Sequence, residues 1–245
     1  MREKLIAVVL AAGKGSRFGG SKPKTFLKLY GKPVFWYSVQ AFSQADAVDE
    51  IYLVVSEEMG QVALRMKSKY FKDIKKFKKI IIGGKERMDS VYNALCEIEN
   101  SSENAYVALH DAARPFIKKE LIEEIFKKAI ETGGASCGIP VVDTIKIVED
   151  NGKIASHLKR SDLTAIQTPQ IFNIKDLVTA YKKTKEENLF FTDDTEVFSL
   201  IGKDVFIVKG DKDLIKITYK EDLKTAKEIL KRNGVPVAYH VLKGM

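Results

Sequence analysis

A chain of 245 residues, 45% of them hydrophobic, can close one sizeable α/β domain around a packed core. Its net charge of +8 raises nucleic acid as a partner, but the densest basic stretch, Arg65 to Lys79, lacks the arginine and aromatic interleaving of single-strand binders. It reads as a solvated face, with no nucleic-acid partner expected. The chain has no apolar run of about 18 residues, and MREKL enters a strand without a signal-peptide core. Cys96 and Cys137 stand far apart in apolar segments. A soluble, cytoplasmic protein with two reduced core cysteines is expected, with neither a membrane partner nor a disulfide framework.

The first predicted element, Leu5–Leu10, is an aliphatic run of the kind buried on both faces of a parallel sheet. It empties into Ala11, Ala12, Gly13, Gly15, Gly19 and Gly20, small residues whose amides can approach an anion, with Arg17, Lys22 and Lys24 beside them. That composition suits a ligand with more than one phosphate. Two commoner phosphate motifs fail here. A dinucleotide fingerprint from Gly13 meets Phe18 where it needs glycine, which argues against a nicotinamide oxidoreductase, and a P-loop from Gly15 meets Ser21-Lys22 instead of Lys-Ser/Thr.

Further strands are predicted at Ile51–Ser56, Lys79–Ile82, Tyr106–His110, Ala135–Val142 and Val205–Val208. Helices are predicted at Pro33–Ser43, Met59–Phe71, Arg87–Ile98, Lys119–Thr132, Ile174–Glu187, Thr195–Ile201 and Glu221–Asn233. The alternation implies a mostly parallel, doubly wound, Rossmann-like sheet, whose ligands bind beyond the carboxyl ends of the strands. Thr144–Val148, the turn Glu149-Asp150-Asn151-Gly152 and Ile154–Leu158 break the pattern as a β-hairpin. A lone hairpin is marginal in water, so this arm, at about residues 143–162 of a single 1–245 domain, is expected to pack on a second copy.

The loop ends hold Gly83-Gly84-Lys85-Glu86-Arg87, His110-Asp111-Ala112-Ala113-Arg114-Pro115, Gln167-Thr168-Pro169-Gln170 and, further on, Lys216. Asp111 suits Mg²⁺ at the end of a buried strand, with a helix N-cap as its alternative. Arg114 suits bidentate contact with a phosphate or carboxylate. His110 has no serine or cysteine elbow to serve and reads as structural.

In order and approximate spacing, VVLAAGKGSRFGGSKPK, GGKERMDSV, HDAARPF, PVVDTIK, LKRSDLTAIQTPQIF, TDDTEVF and DLIKITYKEDL resemble the 2-C-methyl-D-erythritol 4-phosphate cytidylyltransferases over nearly the whole chain. The resemblance implies transfer of CMP from CTP to a sugar-alcohol phosphate with release of pyrophosphate, dependent on Mg²⁺. It implies catalytic roles for Arg17, Lys24, Lys216 and Arg160. CTP would be held by Ala11, Ala12, Gly13, Gly15, Arg17, Lys24 and Lys216, and its base by Gly84, Lys85 and Ser90. Asp111, Arg114, Thr144, Arg160 and Thr168 would surround the acceptor, and Asp111 and Asp213, with Asp211 as a rival, would lie nearest the metal. A homodimer through the arm would carry Thr144 and Arg160 into the partner's site. Thr25, Phe18 and Lys85 depart from the family pattern, and no second, cyclase domain is expected. Ribitol-5-phosphate cytidylyltransferase is the near alternative, disfavoured by Ala11 and Ala113, and a non-catalytic basic RNA-binding protein is the alternative of another class.

Overall fold

The structure, a computed structural model, describes residues 2–13, 15, 18–19, 23–101 and 104–234. Arg17, Lys22 and Gly20 therefore lie outside the described residues. In chain order the elements are β1 (Lys4–Leu10), β2 (Lys28–Leu29), β3 (Lys32–Pro33), α1 (Val34–Gln44), β4 (Val48–Val55), α2 (Glu57–Tyr70), β5 (Phe77–Ile82), α3 (Arg87–Ile98), β6 (Ala105–Asp111), α4 (Lys119–Thr132) and β7 (Gly134–Pro140). There follow β8 (Lys146–Val148), β9 (Ile154–His157), β10 (Thr164–Ile166), β11 (Gln170–Asn173), α5 (Ile174–Glu186), α6 (Asp194–Ser199), β12 (Phe206–Lys209) and α7 (Asp222–Arg232).

The main sheet runs β10-β7-β11-β6-β1-β4-β5, with β12 also paired to β7. Pairing is parallel from β6 through β1 and β4 to β5, and between β12 and β7; β10 and β11 run antiparallel to their neighbours. The mostly parallel expectation holds. β1 shows why an unbroken aliphatic run was needed. Leu5, Ala7 and Val9 face a layer containing Phe35, Phe42, Leu53 and Ile122, while Ile6, Val8 and Leu10 face one containing Val91, Leu95, Leu177 and Phe198. A strand with helices on both sides has no polar face to alternate with. A third cluster seats Ile229 and Leu230 of α7 on Leu29, Val34 and Phe116.

The chain leaves β1 for β4 and β5 on one side and returns to β6 on the other, so the strand order switches beside β1. A crevice at the carboxyl ends of β1 and β6 follows from that switch. β10 and β11 were absent from the predicted strands, because both are short and Pro169 separates them. Cys96, expected in the core, is exposed on α3; Cys137 is buried as expected. Arg65, Lys67, Lys69, Lys72, Lys75, Lys78 and Lys79 are all exposed, while Lys76 is half-buried and donates to the Ala45 carbonyl at 2.7 Å. Among the described residues no helix is long and apolar enough to cross a membrane.

β8 and β9 form their own antiparallel ribbon, pairing Lys146 with His157 and Ile147 with Ser156. Gly152 at its tip takes φ +86°, which a side chain would strain. Ile147, Val148 and Ile154 of this arm are all about half exposed, at 51%, 54% and 49%, so the arm leaves apolar surface uncovered within the single chain.

Candidate active site

At the switch point the loops after β1, β5 and β6 and the segment after β12 enclose a cleft of about 430 Å³. Its walls are Ala12, Gly13, Gly15, Lys24 and Thr25 from the first loop, Gly84, Lys85, Glu86, Arg87 and Ser90 from the second, Asp111 and Ala113 from the third, and Lys216. Four cations thus share a small space with two carboxylates. Such a surface favours a polyanion.

Asp111 closes β6 at the floor of the cleft, and the helix N-cap alternative is set aside because Lys118 precedes α4. One oxygen, Oδ2, meets the Lys216 ammonium at 2.6 Å, and the other, Oδ1, lies 3.4 Å from Arg87 Nε. Burial alone would push this carboxyl's pKa up, but Arg87, Lys216 and Arg114 together outweigh burial and hold it well below the usual range. It is therefore a fixed negative charge ringed by cations.

The scaffolding behind these groups is built from hydrogen bonds between side chains and loop backbone. Ser90, buried in the first turn of α3, accepts from Gly84 N–H at 3.1 Å and donates to the Glu86 carbonyl at 3.0 Å, which folds the loop back on its helix. A capping box between Glu86 and Asp89 starts that helix. Gly84 is obligatory, since a Cβ there would sit 2.2 Å from Asp89 Cβ. Thr25, also buried, donates to the Ala11 carbonyl at 3.2 Å and ties the short helical turn carrying Lys24 to the end of β1.

On the β6 side, Asp111 N–H donates to Thr168 Oγ1 at 3.1 Å, and that hydroxyl lies 3.1 Å from His110 Nδ1. The opposite ring nitrogen, His110 Nε2, lies 3.0 Å from the Arg114 carbonyl, which only accepts. His110 thus carries its proton on Nε2 and receives the threonine proton on Nδ1. Complete burial pushes its pKa down to about 4, outweighing the opposing pull of the Asp111 charge and of the ring's hydrogen bonds, so the ring is neutral and structural, as the sequence suggests. Arg114 donates to the carbonyls of Leu214 at 2.9 Å and Ile166 at 3.3 Å. Gln167 completes the frame: its Nε2 donates to the carbonyls of Asp211 and Leu214, and its Oε1 accepts from Asp211 N–H. This buried amide, together with Arg114 on the Leu214 carbonyl and Ile217 N–H on the Ala113 carbonyl, staples the segment bearing Lys216.

A sequence profile of the IspD, 2-C-methyl-D-erythritol 4-phosphate cytidylyltransferase, family matches residues 5–232. The chain belongs to that family. It is 40% identical over 225 residues to the cytidylyltransferase of this name from Clostridium botulinum, covering 92% of this chain and 96% of the relative. It is also 40% identical to that of Dictyoglomus thermophilum, covering 94% and 98%. Among solved structures, the 4-diphosphocytidyl-2C-methyl-D-erythritol synthase of Anaerococcus prevotii superposes with a TM-score of 0.80 at 27% identity, over 94% of this chain and 97% of that one. The Francisella tularensis 2-C-methyl-D-erythritol 4-phosphate cytidylyltransferase gives 0.77 at 26%, over 93% and 100%.

Of the residues that the cytidylyltransferase resemblance singles out, the cleft gathers Ala12, Gly13, Gly15, Lys24, Gly84, Lys85, Ser90, Asp111 and Lys216, with Ala11 buried at the root of the first loop. Arg114 and Thr168 stand behind Asp111, with both terminal nitrogens of Arg114 and the Thr168 hydroxyl engaged as described and Arg114 Nε buried without a hydrogen-bond partner. Thr144 and Arg160 are exposed on the arm side and do not line the cleft; Arg160 Nη1 donates to the Val142 carbonyl at 3.1 Å. Asp213 does not line it either: its carboxylate meets Arg232 of α7 at 2.5 Å, while Asp211 pairs with Lys118 at 2.6 Å. Arg87, Thr25 and Gln167 carry much of the geometry without having been singled out. Arg87 stood in view within GGKER, but its partners are distant in sequence.

Proposed function

We propose that this cytidylyltransferase moves CMP from CTP to 2-C-methyl-D-erythritol 4-phosphate, releasing pyrophosphate and giving 4-diphosphocytidyl-2-C-methyl-D-erythritol. The observation that carries the reading is the meeting of Lys24, Lys216 and the small-residue loop over Asp111 in one cleft. An acceptor phosphate oxygen attacks the α-phosphorus of CTP, the bond to the bridging oxygen of the β-phosphate breaks, and the electron pair leaves with pyrophosphate. A phosphate monoester is already anionic near neutral pH, its second pKa being about 6, so no general base is required. What the reaction needs is alignment and charge neutralisation.

In this reading the amides of Ala12, Gly13 and Gly15 cradle the triphosphate, and Lys24 and Lys216, with Arg17, neutralise the crowded charge around the α-phosphate. Gly84 N–H is held by Ser90, so the cytosine edge falls to the neighbouring main-chain groups of Gly84 and Lys85. The donor set fits a hard cation, since Asp111 offers carboxylate oxygen at the floor of the cleft. That is the pattern of Mg²⁺ held by one or two carboxylates and the substrate phosphates. Bound there, Mg²⁺ would supply further neutralisation of the triphosphate charge.

The whole chain is read as one catalytic domain with the arm at about 143–162. The exposed Ile147, Val148 and Ile154 are covered by a second subunit in this account, which carries Thr144 and Arg160 toward the partner's acceptor site. The test is pyrophosphate release from CTP with 2-C-methyl-D-erythritol 4-phosphate and Mg²⁺. Release is expected from the wild type and its near abolition in Lys24→Ala; full activity in that variant would refute the assignment of the cleft.

A further inference from the structure

Asp194 is a fully buried carboxylate that the proposed chemistry leaves unused, in the motif TDDTEVF. It opens α6, outside the cleft, yet its Oδ2 accepts from Arg87 Nη2 at 2.6 Å. Its other oxygen accepts from the hydroxyl of Tyr181, also fully buried, on α5 at 2.5 Å. Arg87 then reaches Asp111 only with Nε, at 3.4 Å, beyond the usual length of a charge-assisted hydrogen bond. One guanidinium thus stands between two carboxylates, and the one behind it holds it more tightly. A second observation makes the division matter: Asp111 Oδ2 is already met by Lys216 at 2.6 Å, so Oδ1 is the oxygen that Arg87 would otherwise occupy.

We propose that Asp194 is a positioning residue for the carboxylate of Asp111: by drawing Arg87 back, it keeps that cation from closing on Oδ1 and leaves the oxygen for the divalent cation that accompanies CTP. This rests on the reading of Asp111 as a metal-binding group. Tyr181 holds Asp194 in place from the far side. Sequence separation hides the arrangement, since Arg87 and Asp194 stand 107 positions apart.

The experiment measures Mn²⁺ binding to the enzyme–CTP complex by water-proton relaxation, alongside the cation dependence of the rate at saturating CTP. Asp194→Asn is nearly isosteric but uncharged, and it should free Arg87 to pair fully with Asp111. Mn²⁺ affinity is expected to fall about 10-fold to 100-fold, the usual cost of disturbing a group behind a metal ligand. The rate constant at saturating cation is retained, since Asp194 touches neither substrate. Adding Arg87→Met to that variant removes the competing cation and returns Mn²⁺ affinity toward the wild-type value, an outcome that a merely structural ion pair does not produce.

Unchanged affinity in Asp194→Asn, or no recovery in the double variant, overturns the proposal. If Asp194→Asn does not fold, Tyr181→Phe keeps the carboxylate and frees its second oxygen for Arg87. Affinity at or above wild type then supports the proposal, and a fall overturns it. Asp111→Asn separates the two levels. Wild-type Mn²⁺ affinity in that variant removes the metal reading of Asp111 and this proposal with it, whereas lost affinity there with no effect at Asp194 removes this proposal alone.

Discussion

Replacing Gln167 with alanine should damage both stability and catalysis, although this amide does not line the cleft. Its side chain makes three hydrogen bonds, to the Asp211 carbonyl at 2.8 Å, the Leu214 carbonyl at 3.3 Å and Asp211 N–H at 3.1 Å, at a position only 4% exposed. At about 1 kcal/mol each, their loss costs roughly 3 kcal/mol before any cavity is counted. For a chain of this size that lowers Tm by about 6–12 °C, read by calorimetry. The segment released is the one that sets Lys216 2.6 Å from Asp111, so kcat should fall by roughly tenfold or more as that lysine loses its fixed position. Gln167→Leu, close in volume but without polar atoms, separates hydrogen bonding from packing and should lose nearly as much as Gln167→Ala. A Tm within about 2 °C of wild type together with unchanged kcat would refute the staple.

Gly84→Ala places a Cβ 2.2 Å from Asp89 Cβ and must shift the loop that bears Lys85; KM for CTP should rise about tenfold, with kcat less affected, in steady-state kinetics. Thiol titration of the native protein should find only Cys96 reactive, because burial raises Cys137 to about 12; two equally fast thiols would contradict its placement. Cys137, Tyr37 and Tyr52 all stay protonated in the fold to about 12, chiefly through burial, while the unfolded chain releases those protons from about pH 9 upward. Stability should therefore fall as pH rises from about 9 to 12, less steeply in Cys137→Ala, in Tm measured against pH. Mixing Arg17→Ala with Arg160→Ala protein should restore part of the activity if the arm completes the partner's site; no recovery after demonstrated subunit exchange would exclude that arrangement.

What the sequence reveals here depends on whether a residue's role is local. β1 was legible because burial on both faces demands an uninterrupted aliphatic run, and the mouth of the cleft because Ala12, Gly13, Gly15 and Lys24 line it directly after that strand. β10 and β11 were not, since three or four residues around Pro169 have too little periodicity to read, and their place in the sheet is set by pairing with β6 and β7. The same distinction divides the site. Lys24, Asp111 and Lys216 announce themselves by type and by position at strand or loop ends. Ser90 and Thr168 look like substrate contacts in a motif, yet their hydroxyls are engaged in holding loop backbone. Arg87 acquires its meaning only from Asp194, Tyr181 and Asp111, which the fold assembles from three distant segments.

The identity of the transfer is read from the products by ³¹P NMR. With CTP, Mg²⁺ and equal amounts of 2-C-methyl-D-erythritol 4-phosphate and D-ribitol 5-phosphate, a diphosphate diester is expected from the methylerythritol acceptor, with one pyrophosphate released per diester. A diester formed mainly from ribitol phosphate, or CTP consumed with no diester at all, would contradict that transfer.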